Sequence, residues 1–98
     1  MGTAVHVIAS FTVNEEFIEE FVQKATTLLV EPARADDGCL QYELCQSSND
    51  PCRCAMIEQW SSMDALDAHL QRDYIPLALN DLRSMVSDGP HVTRYIAA

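Results

Sequence analysis

Residues 38–60, GCLQYELCQ-SSNDP-CRCAMIEQW, decide the fold. Two runs rich in strand-forming residues, 39–46 and 52–60, flank Ser47-Ser48-Asn49-Asp50-Pro51, which is turn chemistry. The simplest structure for this pattern is an antiparallel hairpin closed by a loop of about five residues. Leu40, Tyr42 and Leu44 share one strand parity and Cys39 and Cys45 the other, so neither face of the first arm is plainly polar.

Moving outward toward the N-terminus, residues 4–13 (AVHVIASFTV) form a third strand without a breaker. Val5, Val7, Ala9, Phe11 and Val13 lie on one face and His6, Ile8, Ser10 and Thr12 on the other. A strand with one wetted face alternates more cleanly than this. Asn14 reads as a helix N-cap, with Glu15 and Glu16 in the first turn, where the helix dipole favours carboxylates. Phe17, Ile18, Phe21, Val22, Ala25, Leu28 and Leu29 then recur at helical spacing, and Pro32 and Gly38 close the helix near 30–36.

On the C-terminal side, Ser61 or Ser62 caps a second helix, with Ser61-x-x-Asp64 resembling a capping box. Leu66 and Leu70 are its apolar side, and Asp73 opens a further helical segment carrying Ile75, Leu79, Leu82 and Val86. Pro76 is compatible with that segment only within its first turn. Asp88-Gly89-Pro90 reads as a break, and 91–97 as the last strand. The order β-α-β-β-α-β is that of a ferredoxin-like α+β domain: a four-stranded antiparallel sheet with helices on one face, in a single unit over residues 1–98. Nothing in this chain covers the other face, while the first strand is apolar on both sides. The pattern therefore predicts a homodimer joined through the open sheet face.

Composition narrows the function. The 98 residues carry 15 acidic and 6 basic side chains, a net charge of −9, and the basic residues are scattered. Nucleic acid and anionic membranes are poor partners for such a chain. No apolar run approaches the roughly 18 residues of a membrane span. Residues 1–20 show neither a basic nor an apolar leader region, so a soluble cytoplasmic protein is expected. The four cysteines at 39, 45, 52 and 54 lack zinc-knuckle spacing and a neighbouring His, and read as small apolar strand residues.

The common catalytic motifs are missing: G-x-S-x-G, the phosphate loop, G-x-G-x-x-G and H-E-x-x-H. His6, His69 and His91 are too dispersed to name a metal site. What remains is a polar and aromatic set after the third strand. Glu58 and Trp60 share a strand face, His69 follows on the next helix, and Tyr74 lies five residues further. A Trp that stacks and a His that exchanges a proton near neutral pH suit a planar aromatic ligand. The same spacing fits Trp60 as core and His69 as a helix surface or capping residue, and spacing alone favours that reading.

Gly38-Cys39-Leu40-x-Tyr42-Glu43-Leu44, Pro51, Glu58-x-Trp60 and Leu66-x-x-His69 together resemble the antibiotic biosynthesis monooxygenase family along most of the chain. Met56 to Trp60 with Ala68 to Gln71 is similar to its bacterial quinol monooxygenases, and Met85 to Tyr95 to its autoinducer-degrading members. The resemblance implies a dimeric α/β barrel of ferredoxin-like subunits. It also implies an oxygenase that uses no metal, flavin or haem, in which a small aromatic substrate is deprotonated and reacts directly with O₂. It implies catalytic roles for His69, as acid/base, and Trp60, which would line the pocket, and a substrate contact from Tyr74. Glu58, a buried carboxylate or a polar residue paired to an Arg, and Tyr42 complete the candidate substrate-binding set. Met56 stands where anthrone oxygenases carry Asn, and residues 4–13 lack the Asn of haem-degrading relatives, so neither reaction is expected. Arg72-Asp73 replaces the Pro-His often found after the helical His. Two alternatives stand beside the oxygenase: an isomerase or degrading enzyme for a small signalling metabolite, and a ligand-binding module without turnover.

Overall fold

The hairpin forms as the sequence predicts, but with a bulge that changes which side chains it buries. In the computed structural model, which describes residues 3–98, β2 (Cys39–Gln46) pairs antiparallel with β3 (Arg53–Trp60). Cys39 lies opposite Trp60, yet Gln41 lies opposite Gln59, so Leu40 is an extra residue in the ladder. The bulge lets Cys39 and Tyr42 both face inward although their sequence parities differ, and it turns Leu40 outward. The shared parity of Leu40, Tyr42 and Leu44 is therefore corrected: Leu40 is exposed, while Tyr42 and Leu44 pack on the core.

β3 pairs on its other side with β1 (Val5–Val13), and β1 with β4 (Val86–Ile96), giving the sheet order β2-β3-β1-β4. Val5, Val7, Phe11 and Val13 of β1 and Cys54, Met56, Glu58 and Trp60 of β3 are buried beneath the helices, while His6, Ile8 and Ser10 face outward. That period-two burial is the register lock of the sheet, since a slip of one residue would expose the whole apolar set.

The first helical stretch begins as a 3₁₀ turn (Glu15–Phe17), runs through α1 (Ile18–Ala25), widens into a π turn (Thr26–Val30) and ends in α2 (Glu31–Arg34). The buried residues are Phe21, Ala25, Leu29, Val30 and Ala33. The π turn allows Leu29 and Val30, neighbours in sequence, both to be buried. Phe21 meets Phe11 of β1 at a ring-centroid distance of 5.3 Å. A buried side chain of this size contributes roughly 1.5–3 kcal/mol.

α3 (Met63–Leu70) begins at Ser62, whose hydroxyl accepts the Ala65 backbone N–H at 3.1 Å; Ser62 is the cap, and the box expected at Ser61 does not form. α4 (Tyr74–Leu82) holds Pro76 in its first turn and buries Ile75, Ala78 and Leu82. Leu79, one of the apolar residues of this segment, is 47 % exposed.

The expected break at 88–90 is also corrected. β4 begins at Val86, which the sequence assigned to the helix, and continues through Asp88, paired with Thr12, to Ile96, paired with Val5. Register shifts between Ser10 and Val13 of β1 accommodate Gly89 and Pro90 on this edge strand. Gly89 has φ +91°, and a Cβ there would lie 2.7 Å from the Ser10 carbonyl oxygen. Glycine is what allows the edge to approach β1. The helical layer stops short of β4, whose residues Ser87–Ile96 are all exposed. Among the described residues no helix is long and apolar enough to cross a membrane.

Candidate functional site

Glu58 sits mid-strand on the inward face of β3, between Val7 of β1 and Tyr42 of β2. Its carboxyl is buried, and its Oε1 accepts the Trp60 indole N–H at 2.9 Å. Burial drives the Glu58 pKa up against the opposing hydrogen bond from Trp60, and the net direction is upward. The indole is fully buried and lies under the His69 ring, 4.4 Å between centroids with planes 30° apart. Tyr42 presents an edge to His69 at 5.7 Å, and burial holds its phenol well above the usual tyrosine range.

His69 is on the buried side of α3, 3 % exposed. Its Nδ1 is 2.8 Å from Oδ2 of Asp36. The Tyr74 hydroxyl donates to the same Asp36 oxygen at 2.6 Å and lies 3.1 Å from His69 Nδ1, and the Arg72 guanidinium pairs with the other carboxylate oxygen. Burial works to raise the Asp36 pKa, but the hydrogen bonds from Tyr74 and His69 and the charge of Arg72 outweigh it, and the carboxyl is held below its ordinary value. Burial and the neighbouring Asp36 carboxylate push the Tyr74 phenol up.

The turn that delivers Asp36 depends on Gly38. Its φ is +81°, its carbonyl accepts the Ser61 N–H at 2.8 Å, and a Cβ on it would come within 2.6 Å of the Ala65 side chain. The turn thus passes flush against the start of α3, one helical turn from His69.

His69, Glu58 and Tyr42 form one end of a cavity of about 550 Å³. Val7, Ala9, Phe11, Met56 and Leu66 continue its apolar wall, and it opens between α4 (Pro76, Leu79, Arg83) and β4 (Val92, Arg94), where the helices leave the edge strand uncovered. Its size is within the usual range for small-molecule sites, its lining is mostly apolar, and its polar groups fall in two sets: His69, Glu58 and Tyr42 at one end, and Asn80, Arg83 and Arg94 toward α4 and β4.

The structure therefore brings all five expected residues together but divides them into two ranks. His69, Glu58 and Tyr42 line the cavity. Trp60, expected on the wall, stands behind it, because His69 covers its face and Glu58 takes its N–H. Tyr74, expected to touch ligand, is turned to Asp36 instead. Asp36 was not found from sequence: it lies 33 residues before His69, and Asp36-Asp37-Gly38 reads only as a turn. Among the described residues no group of three or more His, Cys, Asp or Glu is arranged to hold a metal ion. The four cysteines are free thiols.

The model of the antibiotic biosynthesis monooxygenase family matches residues 4–79. An uncharacterized protein of Synechocystis is 29 % identical over 68 residues, which is 69 % of this chain and 46 % of that protein, so the chain spans less than half of that relative. Among solved structures, a conserved protein from Methanosarcina mazei Go1 matches with a TM-score of 0.89 at 25 % identity, over 95 % of this chain and 91 % of that one. A structure from Caulobacter crescentus CB15, assigned by name to the antibiotic biosynthesis monooxygenases, matches with a TM-score of 0.89 at 25 % identity, over 99 % and 92 %. With the family model matched from β1 into α4, the chain belongs to the antibiotic biosynthesis monooxygenase family.

Proposed function

We propose that the protein is a cofactor-independent monooxygenase that oxidises a small quinol-type aromatic with O₂. The observation that carries this reading is the convergence of His69 and Glu58 on one end of a largely apolar cavity. An apolar chamber receives a planar ring, and a buried imidazole within it can take the phenolic proton. The resulting electron-rich anion bonds to O₂ through a ring carbon. Loss of water from that peroxide leaves a new carbonyl, so one oxygen atom enters the product and the other leaves as water. His69 supports the proton steps. Glu58, whose pKa burial raises, can donate a hydrogen bond toward developing oxyanion charge when it is protonated. Names of relatives among the monooxygenases support the reaction class.

The test is O₂ uptake over a panel of hydroquinones, with and without a chelator. Chelator-insensitive uptake that falls by about 10²–10⁴-fold in His69→Ala is expected. Absence of uptake with every quinol overturns the proposal. A second reading is favoured by the His69–Glu58 pair itself, because two titratable groups at one cavity end suffice for an O₂-independent isomerisation. Turnover of a carbonyl substrate under anaerobic conditions would select it. Tight aromatic binding without turnover would instead mark a binding module.

We also propose that the working unit is a homodimer joined through the open sheet face. The observation supporting it is the exposure of Ile8 and Tyr95 on that face.

A further inference from the structure

We propose that Asp36 is a positioning residue: it holds His69 in the Nδ1–H tautomer, directs Nε2 to the cavity, and compensates the positive charge His69 acquires when it takes a proton. The proposal rests on the reading of His69 as the acid/base, and it concerns a residue to which neither the sequence motifs nor the cavity wall pointed.

Three donors converge on this one carboxylate. His69 approaches one oxygen at 2.8 Å, Tyr74 donates to the same oxygen at 2.6 Å, and Arg72 pairs with the other. The Asp36 side chain is only 5 % exposed. A turn residue with a purely local role would direct its carboxylate at its own turn, as Asp50 does toward the Cys52 N–H. Asp36 shapes its turn with backbone groups alone: its N–H bonds to Ala33 and its carbonyl accepts from Cys39. Its side chain is left free to reach across to α3. An acceptor-only carboxylate at Nδ1 requires the proton to be on that nitrogen. Nε2 is then the lone-pair nitrogen, and it is the one that His69 has left for the cavity it lines. Arg72 and Tyr74 keep Asp36 in its acceptor form, so it orients the imidazole without taking the proton.

The titratable and charged groups around His69 are few. They are Asp36 and Cys39 from the turn and the start of β2, Tyr42 and Glu58 from the sheet, and Arg72 and Tyr74 from the α3–α4 connection. Asp36 is the one among them bonded to the imidazole through a carboxylate.

The test has an arm that needs no substrate. In ¹⁵N-labelled protein, long-range ¹H–¹⁵N spectra of neutral His69 should show a protonated Nδ1 and a bare Nε2, and Asp36→Asn should lose or mix that pattern. A protonated Nε2 in the unaltered protein overturns the proposal even if every variant fails to fold. The kinetic arm uses the quinol giving the fastest O₂ uptake. Asp36→Asn should lower kcat on the order of 10²–10⁴-fold with KM little changed. In a His69→Gln background the same change should cost less than threefold, since residues acting as one unit are not additive. Tyr74→Phe, which leaves Asp36 and His69 in contact, should cost under tenfold. Wild-type kcat in Asp36→Asn, or an equal loss in the His69→Gln background, would overturn it. If no quinol is turned over but the tautomer is as stated, the proposed reaction fails while the positioning of His69 by Asp36 stands.

Discussion

Two buried carboxylates, Glu58 and Asp36, lie close to one imidazole, and their surroundings push them in opposite directions. Glu58 has one hydrogen-bond donor, the Trp60 indole, and burial raises its pKa. Asp36 has three donors, and they hold it ionised despite burial. Their contributions to stability therefore have opposite pH dependence. For Glu58 the folded pKa is above the unfolded one, so its contribution is full below the unfolded pKa and is lost as pH rises through the folded pKa. For Asp36 the folded pKa is the lower, so its contribution is full above the unfolded pKa and is lost as pH falls through the folded pKa. Glu58→Gln keeps an acceptor for Trp60 and removes the first dependence. Urea unfolding should show the variant gaining on the unaltered protein as pH rises from 4 to 8, and a constant difference across that range would contradict the burial argument. At this scale the sequence was informative where a residue type carried its own signal. Trp60 and His69 stood out by chemistry and spacing. Asp36 did not, because its role is created by a contact across 33 residues, and no local pattern encodes that.

Strands and helices were legible where burial imposes a period, and obscure where an element breaks it. β1 and β3 follow strict alternation and were read almost to their ends. The bulge at Leu40 inverted the parity of β2, and the β4 edge runs through a Gly-Pro pair that normally punctuates. An edge strand tolerates such residues because only one of its sides must pair. The turn from α2 to β2 is the element on which the site depends most. Its glycine has a left-handed φ, and the space a side chain would need is taken by Ala65 and Ser61. Gly38→Ala should therefore destabilise by roughly 2 kcal/mol or more, combining backbone strain with displacement of α3. Thermal unfolding measures the first part. The second predicts that the variant loses the Asp36–His69 arrangement before it loses the fold, so the His69 tautomer signal should become heterogeneous while the far-ultraviolet circular dichroism is retained. A variant with unaltered stability would mean that the turn relaxes without cost.

For the whole molecule, the apolar surface left uncovered is more dispersed than the strand pattern implied. On the open sheet face Ile8 is 41 % exposed, with Ile57 and Thr93 as its neighbours across the strands and Tyr95 in the adjoining row, 52 % exposed. His6, Ser10 and Gln59 share that face, so it is mixed rather than oily. Val92 and Ile96 of β4 lie on the helical side, beyond the reach of the helices, and are 59 % and 61 % exposed. A domain of this size buries a modest share of its surface when alone, and association is the usual remedy. Ile8 is the position at which the proposed sheet-to-sheet dimer can be tested, because it lies on the second of the two central strands with an apolar neighbour beside it. A second copy against this face would bury Ile8, and a lysine there would have to be desolvated without a partner. Ile8→Lys should then weaken dimerisation at least tenfold while leaving the monomer fold intact, since the side chain is outside the core. Light scattering coupled to gel filtration, over a dilution series, reads this directly. A monomer at every concentration in the unaltered protein would remove the dimer, and a dimer indifferent to Ile8→Lys would move the interface to another surface, with exposed Val92 and Ile96 of β4 the next to be altered.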